Sequence, residues 1–278
     1  MTSTYAPASG RRETFQFGRT VGRAFTIVRN HLMLILQASL AYGFVVFVAA
    51  TLLWLATYFI QGGESAVERF RGADVAVLGL INLLFFLGYL AFMQGVVALA
   101  GAADANGQES RFGEITGRAL RASPMLAALW LMEFIAVYIG ALFIVVGIII
   151  LIFLYVAGPA MVIEKLNPFE AFGRSVALTE NHRMTLFGLH MTQALINVAF
   201  GLVVFLVIGG FAAALPNPAG TNPESFTPQM IAGVSVAFLA YLFLVPLWLG
   251  VNQAWSTSAY IELKTIKEGG PNVADAFS

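Results

Sequence analysis

The feature that most constrains the fold of this chain is a series of apolar runs, each long enough to cross a bilayer. A spanning helix needs about 20 mostly apolar residues. Such runs occupy 32–60, 75–100, 124–163, 184–215 and 229–260. The third would make one helix about 60 Å long, twice the thickness of the bilayer core. We therefore predict two spans there, with a tight turn between Gly140 and Gly147, and six spans in all. Gly158-Pro159 is predicted to kink or end the fourth span.

The composition excludes most classes of soluble protein. Of the 278 residues, 59% are hydrophobic and 11% are charged, whereas soluble domains have about 45–50% and about 25%. The formal net charge is zero, so no basic field would attract nucleic acid. The chain has no cysteine, which excludes disulfides, thiol catalysis and Cys-based metal sites. We predict an all-α polytopic membrane protein that uses neither a cofactor nor a metal ion.

The positions of the basic residues predict the orientation. In a six-span arrangement, 13 of the 15 Lys and Arg residues fall on one side, and only Arg69 and Arg71 fall on the other. Basic residues concentrate on the cytoplasmic side of membranes. We therefore predict a bacterial inner-membrane protein with both termini in the cytoplasm. A single membrane domain, 11–262, lies between a disordered tail, 1–10, and a cytoplasmic tail, 263–278.

A short motif recurs ahead of three pairs of predicted spans. It contains the dipeptides Gly22-Arg23, Gly117-Arg118 and Gly173-Arg174. Eight residues after the first and third glycines comes Asn-His, whereas the second copy has Ser123-Pro124 near that point. We predict three repeat units, 14–102, 109–163 and 167–262. Each consists of an amphipathic interfacial helix followed by a hairpin of two spans.

The repeated segment has the periodicity of an amphipathic helix. In the first copy an apolar face is formed by Phe17, Val21, Ala24, Phe25 and Val28. Basic side chains on the opposite face are candidates for binding anionic headgroups; they are Arg19, Arg23, Arg118 and Arg174. The alternative is that these helices only pack against the bundle. In the third copy we predict that Asn167 caps the helix, with Pro168 and Glu170 in its first turn.

Polar side chains inside the spans are candidates for a functional site, because they are costly there. Glu133 is the carboxylate that lies deepest in a span, and we predict that it faces the interior and hydrogen-bonds to His190 or Gln193. The remaining members of this polar layer, all in the inner half of the membrane, are Gln37, Gln94, Asn197, Asn252 and Gln253. They could form a cavity, or they could only hydrogen-bond between helices.

The stretch from Val162 to Thr179 resembles a known family. It contains Glu164, Asn167-Pro168 and then Ala171-Phe172-Gly173-Arg174-Ser175. The pattern is similar to the membrane domain attached to some bacterial glycerophosphodiester phosphodiesterases, and to related stand-alone six-span proteins. Val176 stands where that family has tryptophan. The resemblance implies a membrane module without the catalytic barrel, and therefore without phosphodiesterase activity.

These patterns favour a non-enzymatic membrane protein. No phosphate-binding loop, dinucleotide fingerprint or metalloprotease motif is present. We predict that membrane lipids are the partners, together with a second membrane protein or a further copy of the chain. The alternative is a small transporter that uses the polar layer around Glu133. An intramembrane enzyme is the third class, and the sequence supports it least.

Overall fold

The computed structural model describes residues 15–60, 73–214 and 228–269. Within those ranges the chain is helical and has no strand, which confirms the all-α prediction. The helices described there are α1 (Phe17–Asn30), α2 (Leu32–Ile60), α3 (Ala73–Asn106), α4 (Phe112–Ala141), α5 (Ile144–Leu154), α6 (Ala157–Glu164), α7 (Pro168–Thr179), α8 (Arg183–Ala214) and α9 (Pro228–Glu268).

Several of these helices are long and apolar enough to cross a membrane. In the described part of the chain there are five such segments. They are Leu32–Leu53, Gly79–Asn106, Phe112–Gly140, Val145–Glu164 and Arg183–Leu206. The predicted sixth span, 229–260, lies within α9.

The long third run folds as two helices joined by a tight turn, as predicted. α4 ends at Ala141 and α5 begins at Ile144. A Cβ atom on Gly140 would lie 3.1 Å from the Cα atom of Gly147 and 2.8 Å from a methyl group of Ile150. Glycine at position 140 therefore allows the two helices to approach closely beside the turn.

The predicted break near Gly158-Pro159 is also present. α5 ends at Leu154, and α6 begins at Ala157. Pro159 has no N–H group to donate to the carbonyl of Tyr155, and its ring would clash with that carbonyl in a continuous helix. The chain therefore restarts two residues before the proline.

The start of α7 confirms the predicted capping. The Asn167 side chain accepts a hydrogen bond from the Glu170 N–H at 2.9 Å, and the Glu170 side chain accepts one from the Asn167 N–H at 3.0 Å. This reciprocal pair, followed by proline at the first helical position, fixes where the helix begins.

The second copy of the repeat differs from the prediction, because no separate amphipathic helix precedes its span. α4 runs without a break from Phe112 through Pro124. The missing N–H of Pro124 leaves the Leu120 carbonyl without its helical donor. The Ser123 hydroxyl donates to that carbonyl at 2.8 Å, so the helix continues. In the first and third copies the helices end at Asn30 and Thr179, next to the Asn-His dipeptides.

The core lies at one end of the bundle. Three continuous buried segments form it: 91–103 of α3, 156–163 around the start of α6, and 253–264 of α9. Trp255 and Tyr260 are among its largest buried side chains. We call this region the charged end, because Asp104, Glu164 and Glu262 lie beside it. By contrast, α2 and α8 expose large apolar side chains, which suits contact with lipid.

The boundary predicted at residue 262 falls inside a helix. α9 continues to Glu268, and Lys264 is buried. The predicted tail 263–278 therefore begins as part of the bundle. The predicted tail 1–10 lies outside the described residues.

Candidate functional site: a polar cavity inside the bundle

A cavity of about 400 Å³ lies between α3, α4, α5, α6, α8 and α9. Part of its wall is apolar and includes Phe86, Leu90, Val137 and Leu151. The polar side chains that line it are Gln94, Trp130, Glu133, Tyr155, His190, Gln193, Trp248, Asn252, Gln253 and Ser256. So many polar groups converging inside an apolar bundle mark this cavity, named here the polar cavity, as the candidate site.

Six of the eight residues predicted for the polar layer line this one cavity. They come from α3, α4, α8 and α9, and they are Gln94, Glu133, His190, Gln193, Asn252 and Gln253. Two do not. Gln37 has an exposed side chain on α2, and Asn197 lies on α8 beyond the residues that line the cavity. Gln37 therefore faces out of the bundle, although its depth along the span resembles that of the others.

The predicted hydrogen bond from Glu133 to α8 is not formed. Within the described ranges, no side chain or backbone group makes a hydrogen bond or ion pair with the Glu133 carboxyl group. Gln193 is unavailable because its amide is used elsewhere, as described next. Glu133 nevertheless lines the same cavity as His190 and Gln193, so the prediction was right about the direction of the side chain and wrong about its partner.

A chain of hydrogen bonds joins α8, α9 and the break between α5 and α6 along one wall of the cavity. The Tyr155 hydroxyl donates to the Gln193 side-chain oxygen at 2.8 Å. The Gln193 amide nitrogen donates to the side-chain oxygen of Asn252 at 3.0 Å. The Asn252 amide in turn donates to the Trp248 carbonyl at 2.8 Å. This chain holds α8 and α9 at a fixed separation from the α5–α6 break.

The lining also contains a second polar pair. The indole N–H of Trp130 donates to the side-chain oxygen of Gln94. Gly158 packs directly against the same amide: a Cβ atom at this position would lie 2.0 Å from the Gln94 nitrogen. Glycine is therefore required where α6 passes α3, and it leaves room for the Gln94 side chain.

Two buried polar atoms at the cavity have no partner in the part of the chain that the structure describes. They are Nδ1 of His190 and Nε1 of Trp248. The His190 ring meets Tyr155 edge to face at 5.6 Å, and Trp248 stacks on Phe200 at 5.5 Å, so packing holds both rings in place. An indole nitrogen can only donate, whereas an imidazole nitrogen donates or accepts. Together with Glu133 they offer a ligand a fixed donor, a carboxyl group and an imidazole.

Sequence reasoning missed the aromatic members of the cavity. Trp130, Tyr155 and Trp248 stand inside apolar runs, where hydrophobic periodicity counts them as ordinary core residues. A usable signal was present for Trp248, because it precedes Asn252 by four residues and therefore lies on the same helix face. Nothing in the sequence alone connects Trp130 with Gln94 on another helix.

The predicted headgroup arginine Arg174 has a different role. Its guanidinium donates two hydrogen bonds to the Glu164 carboxylate, at 2.7 and 2.8 Å, and it also pairs with Glu268. Tyr260 and Lys264 contact the same Glu164 carboxylate. Hydrogen bonding to Glu164 raises the pKa of Arg174, against the opposing effect of burial. Arg174 therefore joins α7 to the ends of α6 and α9.

Arg19 and Arg23 also face the protein. Arg19 donates to the buried Glu262 carboxylate at 2.7 Å, and Arg23 lies 3.7 Å from it. Burial lowers the pKa of Arg23. The buried face of α1 therefore differs from the predicted apolar face, because Phe17 and Phe25 are exposed. Thr20, Ala24, Ile27 and Val28 are the buried residues of this helix. A buried carboxylate needs cationic partners, and this requirement sets the orientation of α1.

Arg118 pairs within its own helix, whereas Asp104 of α3 contacts residues at the end of α1. Arg118 forms an i,i+4 salt bridge with Glu114 at 3.0 Å. The Asp104 carboxylate lies 2.9 Å from Nε2 of His31 and 3.4 Å from the Asn30 amide. Arg118 thus has a partner in its own helix, and its contact with lipid headgroups stays a prediction.

Comparison with known proteins places the chain in a family. Residues 69–263 match a family described as a domain of unknown function, DUF7847. The match covers more than half of the chain. The chain belongs to the DUF7847 family. Neither the comparison with curated proteins nor the comparison with solved structures finds a match.

The DUF7847 region and the polar cavity coincide. Every residue that lines the cavity, from Phe86 to Ser256, lies within 69–263, whereas α1 and α2 precede this region. The family description assigns no activity, and the resemblance to the phosphodiesterase membrane domain stays a prediction.

Proposed function

We propose that this DUF7847 protein is a non-enzymatic integral membrane protein that binds a membrane lipid, with the polar part of the lipid in the polar cavity. The observation that carries the proposal is the cavity itself. It combines apolar walls with polar groups of Glu133, His190 and Trp248 that have no partner among the described residues. A molecule that is part apolar and part hydrogen-bonding matches such a lining.

A binding role accounts for the cavity better than an enzymatic one. The Ser256 hydroxyl, the candidate nucleophile of the lining, donates to the Gln253 carbonyl on its own helix at 3.1 Å. The amides of Gln193 and Asn252 are held by hydrogen bonds to other protein groups. These contacts build a rigid wall, and a rigid wall suits recognition of a ligand.

The membrane arrangement that accompanies this proposal has six spans in three hairpins, with both termini in the cytoplasm of a bacterial inner membrane. Five apolar segments support it, and α9 supplies the sixth. At 1.5 Å per residue, the 41 residues of α9 measure about 60 Å. This length is enough for α9 to cross the bilayer and to continue beyond it as far as Glu268.

Lipid that remains bound during purification tests the proposal. The full chain is purified in mild detergent, and the bound lipid is extracted and quantified by mass spectrometry. The double variant His190→Phe/Trp248→Phe removes both unpartnered nitrogen atoms and keeps an aromatic ring at each position. Asn197→Leu is the control, because it removes an amide from α8 outside the cavity. We expect a lipid species to be lost from the double variant only. Unchanged lipid in a folded double variant would overturn the proposal.

A transporter is the second candidate, and it is favoured by the carboxyl group of Glu133, which has no partner among the described residues. An unpaired carboxyl group in a span can bind and release a proton or a cation. Glu133→Gln keeps the size of the side chain and removes this ability. If the protein only binds lipid, the Glu133→Gln variant should retain bound lipid and should show no change in substrate uptake. If the protein is a transporter, the variant should lose proton-coupled uptake in proteoliposomes while it still binds its ligand.

A further inference from the structure

The charges of the polar cavity are one-sided. Glu133 brings a carboxyl group into the lining, and its side chain is half-buried. Among the described residues, no lysine or arginine lines the cavity, and none forms a hydrogen bond or ion pair with Glu133. A carboxylate inside a bilayer needs a cationic or hydrogen-bonding partner. Since the described side chains do not provide this partner, it is left to a ligand.

The lining around this carboxyl group suits an ammonium group. The aromatic side chains of Trp130, Tyr155 and Trp248 line the same cavity, and an aromatic ring attracts a cation over its face. Nδ1 of His190 is buried without a partner among the described residues, and a neutral imidazole nitrogen can accept a hydrogen bond. A primary ammonium group has three N–H donors. One such group can therefore serve both a carboxylate and an imidazole acceptor.

The indole of Trp248 adds a donor to these acceptors. Its Nε1 atom is buried and has no acceptor among the described residues, and an indole nitrogen can only donate. A phosphate oxygen is a suitable acceptor for it. An ammonium group and a phosphate group occur together in a zwitterionic aminophospholipid. A phospholipid without an amine would satisfy Trp248, but it would bring a second negative charge into the cavity beside Glu133.

The apolar part of the cavity wall reaches the outside of the bundle. Phe86 lines the cavity, yet its side chain is 51% exposed. Leu83 lies one turn earlier on the same face of α3 and is 52% exposed. Acyl chains can therefore cover this apolar surface while the headgroup lies in the cavity. A soluble amine would leave the same surface uncovered.

On the basis of the proposed function, we propose further that the lipid of the polar cavity is an aminophospholipid, whose primary ammonium group binds the Glu133 carboxylate. Its phosphate group accepts a hydrogen bond from Trp248, and its acyl chains leave the cavity past Phe86. Glu133 is then the residue that determines which headgroup the cavity accepts.

Native mass spectrometry of the detergent-solubilised full chain tests this specificity. The protein is titrated with phosphatidylethanolamine, phosphatidylcholine or phosphatidylglycerol of the same acyl chains. We expect phosphatidylethanolamine to bind most tightly, because the amine of phosphatidylcholine has no N–H group and phosphatidylglycerol has no amine. Soluble phosphoethanolamine is added as a competitor, and we expect it to displace little lipid. Equal binding of phosphatidylethanolamine and either other lipid, or full displacement by phosphoethanolamine, would overturn the inference.

A charge variant assigns the preference to Glu133. Glu133→Gln keeps the size of the side chain, so the variant should still carry lipid in its apolar walls. Its preference for phosphatidylethanolamine over phosphatidylglycerol should fall about tenfold, because a hydrogen bond to a charged group is lost. Glu109→Gln is the control, since it neutralises an exposed carboxylate outside the cavity and should leave the preference unchanged. A full preference in Glu133→Gln, or an equal loss in both variants, would contradict the role of Glu133.

The two lipid proposals fail in different ways. If His190→Phe/Trp248→Phe binds lipid as the wild type does, the polar cavity is not the lipid site, and both proposals are wrong. If this double variant loses lipid while the wild type does not distinguish phosphatidylethanolamine from phosphatidylglycerol, the proposed function stands and the assignment of an ammonium group is wrong.

Discussion

Tyr260 of α9 donates a hydrogen bond of 2.6 Å to the carboxylate of Glu164, the last residue of α6. The same carboxylate accepts hydrogen bonds from Arg174 of α7 and Lys264 of α9. Glu164 therefore joins three helices through one side chain. A comparable group exists at Glu262, whose carboxylate accepts a hydrogen bond from Arg19 of α1. Both carboxylates lie near the ends of predicted hairpins, and each is matched by an arginine of a repeated amphipathic helix.

We expect Glu164→Gln to destabilise the protein. The side chain is largely buried, and its loss would leave Arg174 and Lys264 close together, with Glu268 as the remaining carboxylate partner of Arg174. Removal of one partner from a buried ion pair costs about 3–5 kcal/mol. Thermal unfolding in detergent measures the change. Glu114→Gln is the matched control, because its more exposed i,i+4 pair with Arg118 is worth about 0.3–0.5 kcal/mol. Similar losses in the two variants would contradict the role assigned to Glu164.

Gly158→Ala should disturb the polar cavity. The added methyl group would overlap the Gln94 amide, which Trp130 holds in place. Overpacking of this kind costs about 1–3 kcal/mol. Gly188→Ala provides the comparison, since a Cβ atom on that α8 glycine meets no atom within 4 Å. In a Gln94→Ala background the cost of Gly158→Ala should largely disappear. If the cost persists in the Gln94→Ala background, the added methyl group clashes with a residue other than Gln94.

The sequence predicted the apolar helices better than their contacts. The breaks near Gly140 and Pro159 depend on local chemistry, so they followed from residue order, whereas the continuous helix through Pro124 did not. The direction of Arg174 did not, because it depends on Glu164 and Glu268, which other helices bring to it. Gln37 shows the same limit: depth along a span can be counted from the sequence, but the face that meets a neighbour cannot.

Ser123 and Pro124 should show energetic coupling. The Ser123 hydroxyl replaces the donor that Pro124 lacks at the Leu120 carbonyl. Ser123→Ala alone should leave that carbonyl unsatisfied and cost about 1–2 kcal/mol. In a Pro124→Ala background the alanine N–H supplies the helical hydrogen bond, so Ser123→Ala should cost little. A double-mutant cycle from thermal unfolding measures the coupling. Additive effects would mean that the hydroxyl does not compensate for the proline.

Stability should decrease in mild acid, partly through His182. Burial and the neighbouring charge of Lys267 lower the pKa of this imidazole. An unfolded histidine titrates near pH 6.5, so the unfolded chain takes up the proton first as the pH falls. The contribution of neutral His182 is therefore present above about pH 6.5 and is lost as the pH falls through the lower folded pKa. The melting temperature of His182→Gln should decrease less between pH 7.5 and 5.5 than that of the wild type. Equal decreases would exclude a contribution from His182.

The proposed orientation can be tested by labelling single cysteines, because the native chain has none. The charge asymmetry predicts that both termini lie in the cytoplasm and that the segment between α8 and α9 lies outside it. We introduce Tyr5→Cys, Gly270→Cys and Thr221→Cys separately, and we treat intact cells with a membrane-impermeant maleimide. Only Thr221→Cys should react before lysis, and all three should react after it. An odd number of spans would make one terminus react in intact cells. If both termini react and Thr221→Cys does not, the chain has the opposite orientation.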